Sequence, residues 1–259
     1  MNPLLDPSRR LVIGHRGAAA EAPENTLPSF LRALEVGADA LELDVHMTAD
    51  GVPVVMHDAT LDRTTDRVAG VASLTLKELG KADAGARFTV DGGRTFPWRG
   101  RGVTVPTLAE VLTATAGVPL VVEVKNAGAA AAVVTVLDRH GARERCIVGS
   151  FDREALLPFR TAGYATAAAR GEVARLLLGS LFGLAARHPR YQALTIPERH
   201  KGIPVATRSL IHAAARAGCA THVWTVDDPA RARRLWERGV AGIITNAPAS
   251  IVPERGPAG

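Results

Sequence analysis

Cysteine is scarce: Cys146 and Cys219 are the only two in 259 residues. That is too few for a disulfide framework, so both read as free thiols in a chain held together by packing. Phe, Trp and Tyr together make up 4% of the residues, which argues against the aromatic stacking platform of a single-strand nucleic-acid binder. The formal net charge of +5 is spread over helices and not gathered in one basic run, so no nucleic-acid partner is expected. Long apolar runs are also missing. "LLLGSLFGLAA", Leu176 to Ala186, falls short of the roughly 20 residues that span a bilayer. It reads as a core-facing helix, and no stable membrane association is expected. The opening "MNPLLDPSRR" has Pro and Asp where an export signal needs an apolar stretch, so a cytoplasmic location is expected. No Ser/Gly-rich or low-complexity linker breaks the pattern, and the reading is a single domain over residues 1–259.

What the chain has is rhythm. The runs "LVIGH", "ALELDV", "LVVEV", "CIVGS", "YATAAA", "ALTI", "THVWTV" and "GIIT" mostly alternate with segments of helical periodicity. Strand–helix alternation favours a parallel sheet, and eight strands in this length predict an α/β fold, a (β/α)8 TIM barrel. Helix ends agree. The first helix takes Asn25 or Thr26 as cap and Pro28 in its first turn, sets Leu27, Phe30, Leu31 and Leu34 on one face, and stops at Gly37. Thr107 with Glu110 forms a capping box, and Asp228 with Pro229 opens a later helix. One run departs from the plan: "VPVVMHD", Val52 to Asp58, follows the second strand with no room for a helix. Asp50-Gly51 then predicts a two-residue hairpin turn that sets Asp44 opposite His57, within a residue. From about 59 to 105 the alternation fails. This stretch reads as a small insertion after the second barrel strand, with one short helix near "TLKELG", over one end of the barrel.

Residues two apart in a strand share a face. Glu42 and Asp44 therefore point one way, as do Glu123 and Lys125, with Leu41, Leu43, Val122 and Val124 on the helix-packed side. Three carboxylates facing a barrel interior call for a cation, and all-oxygen ligation favours Mg2+ or Ca2+. The competing reading is a set of structural salt bridges with Arg16 and Lys125. His15 and Arg16 stand at the C-terminal end of the first strand, where barrel active sites are built, and the hairpin brings His57 to the same rim. Two imidazoles, a cation, an arginine and a lysine suit a phosphate ester: positive groups neutralise phosphate oxygens, and the histidines serve as general base and general acid. An alkoxide leaves poorly, which gives a chemical reason for two histidines. Trp224 ends a strand at the same rim, as pocket wall or as filler. His46, His140, His188, His200, His212 and His222 read as structural.

At these residues the sequence resembles the glycerophosphodiester phosphodiesterase family. The matching pieces are "GHRG" with "PENT", "ELDVHMTADGVPVVMHDATLDRTTD", "EVK", "SF", "VWTV" and "GIITNAP", in family order from Leu11 to Pro248. The resemblance implies a TIM barrel that hydrolyses glycerophosphodiesters, small-molecule substrates, to glycerol 3-phosphate and an alcohol. It implies His15 and His57 as the acid/base pair, and Glu42, Asp44 and Glu123 as ligands of a divalent cation. Arg16 and Lys125 are implied as phosphate contacts and Trp224 as pocket lining. It also raises a route in which the glycerol 2-hydroxyl attacks phosphorus, giving a cyclic phosphate that water opens. Two positions depart from the usual pattern: Asp227 stands where relatives often have Asn, and Asn246 where they often have Asp. The resemblance sets both near the alcohol and glycerol pocket.

Three rival functions use overlapping residues. A phospholipase-D-like activity on lysophospholipids needs an apolar groove at the rim, for which "LLLGSLFGLAA" and the insertion are the candidates. A Schiff-base aldolase would use Lys125 as nucleophile. A non-catalytic binding barrel would be expected to lack one of the histidines or carboxylates, all of which are present.

Overall fold

One parity runs through the strands and shapes the molecule. In the computed structural model, which describes residues 2–185 and 189–256, the chain runs β1 (Leu11–His15), α1 (Leu27–Glu35), β2 (Ala40–Met47), β3 (Pro53–Val55), α2 (Leu76–Leu79), α3 (Leu108–Ala114), β4 (Leu120–Val124) and α4 (Ala130–Arg139). It continues through β5 (Cys146–Gly149), α5 (Arg153–Thr161), β6 (Ala165–Thr166), α6 (Arg170–Leu181), β7 (Ala193–Pro197), β8 (Arg199–His200), β9 (Ile203–Pro204) and α7 (Arg208–Arg216). Then come β10 (Ala220–Trp224), α8 (Pro229–Glu237), β11 (Gly242–Thr245) and α9 (Pro248–Ile251).

Each of the eight apolar runs contributes a barrel strand. They pair in parallel in the order β6-β5-β4-β2-β1-β11-β10-β7. Between β6 and β7 the ring is drawn together by a parallel bridge from Ala167 to Ala193 and by backbone hydrogen bonds from Ala168 N to Ala193 O and Gln192 N to Thr166 O, both 2.9 Å. The result is a nearly closed barrel of eight parallel strands with helices between them. Inward positions meet in one cluster: Leu11 and Ile13 of β1, Ala40 of β2, Val121 of β4, Ile147 of β5 and Ile244 of β11, plugged from the N-terminal end by Leu4. Outward positions, among them Leu41, Leu43, Val122, Val124 and Val148, are fully buried against the helices. Full burial of a side chain of this size contributes about 1.5–3 kcal/mol, so the parity is strongly fixed.

Three details revise the expectations from sequence: the length of the hairpin turn, the buried face of α1 and the burial of α6. The hairpin joining β2 to β3 pairs Val45 with Val55 and Met47 with Pro53. Thr48 N–H then bonds Val52 O at 3.0 Å, which leaves Ala49, Asp50 and Gly51 as a three-residue loop. Gly51 has φ +78°, the left-handed residue that such a loop requires. Asp50 is drawn out of a two-residue turn because its carboxylate accepts from Thr48 Oγ1 and from Leu76 N–H. Asp44 consequently faces Met56, whose N–H donates to Asp44 O at 2.9 Å, one residue from His57. On α1, Phe30 is fully buried but Leu31 is 50% exposed: the buried stripe is Ser29, Phe30 and Ala33. On α6 only Leu176 and Ser180 are buried. Leu178, Leu181, Phe182 and Leu184 stand exposed, so the stretch does not face the core as read. Its last residue, Ala186, and His188 lie outside the described residues.

Between β3 and α3 the chain builds its own small cluster from Leu61, Val71, Leu79, Ala82, Ala84, Val103 and Val105, packed with Val54 and Met56. Its one α-helix among the described residues is α2, opened by a capping box between Thr75 and Glu78.

Candidate active site

The inward columns that carry apolar residues inside the barrel end in polar ones at its C-terminal rim. On β1 the column runs Leu11, Ile13, His15; on β2, Ala40, Glu42, Asp44; on β4, Val121, Glu123, followed by Lys125. Strand register aligns them, His15 beside Glu42 and Asp44 beside Glu123. All eight residues singled out from sequence, His15, Arg16, Glu42, Asp44, His57, Glu123, Lys125 and Trp224, line one cavity of about 180 Å3.

The exit from β1 depends on a sharp turn. Arg16 and Asn25 both adopt the left-handed backbone region, at φ +54° and +57°, which is uncommon outside glycine. Hydrogen bonds hold them there: Arg16 N–H reaches Glu42 Oε2 at 3.1 Å, and Asn25 N–H reaches Arg16 O at 3.0 Å. Gly17, at φ +88°, packs so tightly that a Cβ would stand 2.6 Å from Ser29 O. The turn aims the Arg16 side chain back over the cavity, where Nε lies 3.2 Å from Asp44 Oδ2 and Nη1 bonds Glu24 Oε1 at 2.9 Å.

Each of Glu42, Asp44 and Glu123 offers an oxygen within 4.8 Å of the others. The ion pairs of the competing reading are also present, since Lys125 Nζ bridges Asp44 Oδ1 at 2.7 Å and Glu123 Oε1 at 2.6 Å. They are incomplete. Burial opposes the charge on Asp44, yet Lys125 and Arg16 outweigh it and hold that carboxyl below its ordinary range. No Lys or Arg side chain forms an ion pair with Glu42 among the described residues; its Oε2 takes the Arg16 backbone N–H and lies 3.9 Å from His15 Nε2. Burial, then the neighbouring Asp44 and Glu123, push its carboxyl well above the usual value. A buried carboxylate that Arg16 and Lys125 compensate only in part, beside two others, matches the donor set of a hard divalent cation.

The two histidines have different surroundings. His15 Nδ1 lies 2.7 Å from Asn246 Oδ1, and burial, followed by the adjacent Arg16, lowers its pKa. His57 Nδ1 lies 2.6 Å from Asp58 Oδ1. Burial opposes ionisation of Asp58, but hydrogen bonds from Arg63 and His57 bring its pKa down to about 2. Arg63 in turn forks onto Glu24 at 2.7 and 2.8 Å, so one basic residue of the insertion ties the two histidine-bearing loops together. The His57 carbonyl accepts from His46 Nε2 at 3.1 Å, and His46 is not among the cavity-lining residues.

Several supporting residues escaped the reading of the sequence. Asn25, Glu24, Asp58 and Arg63 all lie within the motif pieces "PENT" and "HDATLDR", and for Asp58 the available signal was a carboxylate one position from a candidate catalytic histidine. Trp224 lines the cavity, edge-on to Phe151 with ring centroids 6.2 Å apart, and Arg170 lies 5.1 Å from the centroid of the Phe151 ring. Asp227 and Asn246 are not among the residues lining the cavity; they bond each other and His15 instead. The exposed leucines of α6 do not stand at the rim either. That helix starts just after β6 and descends about 18 Å at 1.5 Å per residue, carrying Leu181 toward the opposite end.

Residues 15–250 match the model of the glycerophosphoryl diester phosphodiesterase family. The chain is 32% identical over 257 residues to a glycerophosphodiester phosphodiesterase of Caldanaerobacter subterraneus, covering 94% of this chain and 97% of that one. Among solved structures, a phosphodiesterase from Oleispira antarctica in complex with the product sn-glycerol-3-phosphate superposes with a TM-score of 0.75 at 27% identity, covering 94% of this chain and 96% of that one. A glycerophosphodiester phosphodiesterase from Agrobacterium tumefaciens gives a TM-score of 0.74 at 27% identity over 94% and 99% of the two chains. The family match over nearly the whole chain, on a barrel with this rim, shows that the chain belongs to the glycerophosphoryl diester phosphodiesterase family.

Proposed function

We propose that the protein hydrolyses glycerophosphodiesters to glycerol 3-phosphate and an alcohol, with His15 and His57 moving protons and a divalent cation, Mg2+ or Ca2+, held by Glu42, Asp44 and Glu123. The observation that carries this reading is the convergence of both imidazoles, three carboxylates, Arg16 and Lys125 on one small cavity. The product bound to the Oleispira antarctica relative agrees with the substrate class.

Arg16 and Lys125 bind and orient the phosphate. His15 is buried next to a guanidinium, so it stays neutral and accepts the proton of the attacking hydroxyl. His57, held through Nδ1 by the Asp58 carboxylate, is the group that donates the proton the departing alkoxide requires. When bound, the cation supplies positive charge to the phosphate oxygens. Phe151 and Trp224 form the apolar wall against which the ester substituent rests.

The test is glycerol 3-phosphate release from glycerophosphocholine in Mg2+, Ca2+ or EDTA, for the wild type, His15→Ala and Glu123→Ala. Cation-dependent release lost in both variants is the expected result. A folded protein that releases nothing in any condition overturns the proposal, and lysophosphatidylcholine is then the next substrate to try. Turnover of a 2-deoxyglycerol analogue separates water from the glycerol 2-hydroxyl as the attacking group.

A further inference from the structure

Asn246 follows β11 at the rim, directly beside His15, because β1 and β11 pair Gly14 with Thr245. Its side-chain amide has two ends with opposite hydrogen-bonding character, and the fold uses both. Nδ2 donates to Asp227 Oδ2 at 2.9 Å, while Oδ1 lies 2.7 Å from His15 Nδ1. Asp227 is anchored from the same segment: its Oδ1 also accepts the Asn246 backbone N–H at 2.7 Å and the Thr245 hydroxyl at 2.9 Å. Among the described residues, it has no Lys or Arg within ion-pair distance.

The chemistry of the three groups fixes the direction of every bond. A carboxylate only accepts, so the amide must turn Nδ2 toward Asp227 and Oδ1 toward His15. An amide oxygen also only accepts, so His15 must carry its proton on Nδ1. The lone pair is then on Nε2, which points to the carboxylate cluster, 3.9 Å from Glu42 Oε2. The ring nitrogen that holds the proton is set by the partner of the other one, and here that partner is itself set by a third residue. The Nδ1 of His57 is held differently, through direct contact with the Asp58 carboxylate.

We propose that Asp227 and Asn246 are positioning residues for His15: Asp227 dictates the orientation of the Asn246 amide, and the amide holds His15 with its proton on Nδ1 and its lone pair on Nε2 facing the cavity. The inference rests on the reading of His15 as proton acceptor. Its consequence for sequence is an exchange rule. In Asp227→Asn the new amide cannot accept as two oxygens did, Asn246 is free to flip, and Nδ2 would then face His15. In Asn246→Asp two carboxylates oppose each other. In the double variant, Asp227→Asn with Asn246→Asp, the amide at 227 donates to the carboxylate at 246, its oxygen still accepts from Thr245 and from the backbone, and His15 Nδ1 again meets an acceptor.

The experiment is imidazole 15N NMR on uniformly labelled protein at a pH where the histidines are neutral, with the His15 signals identified by their loss in His15→Gln, alongside kcat and KM for glycerophosphocholine. Expected in the wild type is a protonated Nδ1 and an unprotonated Nε2. Asp227→Asn shifts His15 toward the Nε2–H form and lowers kcat at least tenfold with little change in KM, and the double variant restores both the spectrum and most of kcat. A wild-type His15 protonated on Nε2, or an Asp227→Asn protein with the wild-type spectrum and kcat, overturns the proposal. The expected spectra in proteins that hydrolyse nothing would uphold the positioning and overturn the catalytic reading on which it was built.

Discussion

Asn25 and Asp44 hold each other twice: Asn25 Nδ2 donates to Asp44 Oδ2 at 2.9 Å, and Asp44 N–H returns to Asn25 Oδ1 at 3.3 Å. The pair joins the turn after β1 to the strand that carries two of the three clustered carboxylates, and both residues are almost fully buried. Asn25→Ala removes the amide that orients Asp44 and releases a left-handed backbone residue. Outer partners of ligating groups are typically worth 10–100-fold in affinity or activity. Asn25→Ala is therefore expected to lower kcat/KM by about tenfold or more and to raise the cation concentration needed for half-maximal activity. An unchanged cation requirement, measured by titrating Mg2+ or Ca2+ into the chelated enzyme, would count against this role.

Asp58 is the second lever. It accepts from His57 Nδ1 and is gripped by Arg63, so Asp58→Asn keeps the shape but removes the carboxylate that holds the His57 ring. General acid–base catalysis contributes about 10²–10⁴-fold, and kcat should fall by roughly 10²-fold with KM little changed. Arg63→Gln, which leaves the carboxylate in place, should lose less. Because the substitutions act on the leaving group, the loss should shrink for a substrate whose alcohol is more acidic, such as a nitrophenyl ester. Equal loss on both substrates would show that Asp58 does not act through the departing oxygen.

Sequence reading reached the barrel because strand parity is enforced by burial on both faces: His15, Glu42, Asp44 and Glu123 could be aimed inward from spacing alone. It failed where side-chain chemistry overrides a backbone rule. The expected two-residue turn became a three-residue loop because the Asp50 carboxylate is used by Thr48 and Leu76, a contact 26 residues away that no turn rule contains, while Asp44 stayed within the expected one residue of His57. Leu31 is exposed because Ser29 and Ala33 are the residues small enough to let α1 approach Gly17 and Gly14. Asp227 and Asn246 were visible as two separate departures from the family pattern. That they are one hydrogen-bonded pair depends on a separation of 19 residues closing across β10 and β11.

Glu42 sets stability against function. Its folded pKa is raised, so the stability it contributes is present below its unfolded value near 4.5 and is lost as pH rises through the folded value. Above its ordinary range and without cation the buried carboxyl is a burden, and Glu42→Gln should raise stability at alkaline pH by about 1–2 kcal/mol, a few degrees in Tm for a chain of this size. The variant should be inactive. Adding Mg2+ or Ca2+ should raise the melting temperature of the wild type and do so less in Glu42→Gln. A variant that melts below the wild type in EDTA, with equal cation shifts in the two proteins, would remove Glu42 from the cation set.

His222 makes a stability prediction separate from catalysis. It is fully buried in β10, its Nε2 lies 2.9 Å from Leu4 O, and burial brings its pKa down to about 4 from the ordinary 6.5. The space around it is closed as well, since a Cβ on Gly242 would stand 2.3 Å from its Nδ1. Between pH 6.5 and 4 the unfolded chain binds a proton at this position that the folded chain refuses. Stability therefore falls as pH falls across that window and levels off below it, by about 3 kcal/mol at 1.36 kcal/mol per unit. His15 and His46 have lowered pKa values too and act in the same direction, so the measure is the difference between proteins. His222→Gln keeps a donor for Leu4 O but cannot titrate, and its unfolding free energy from urea melts should decline less between pH 6.5 and 5, where few carboxylates yet take up protons. Parallel curves for the two proteins over that interval would mean that His222 is not held neutral by the fold.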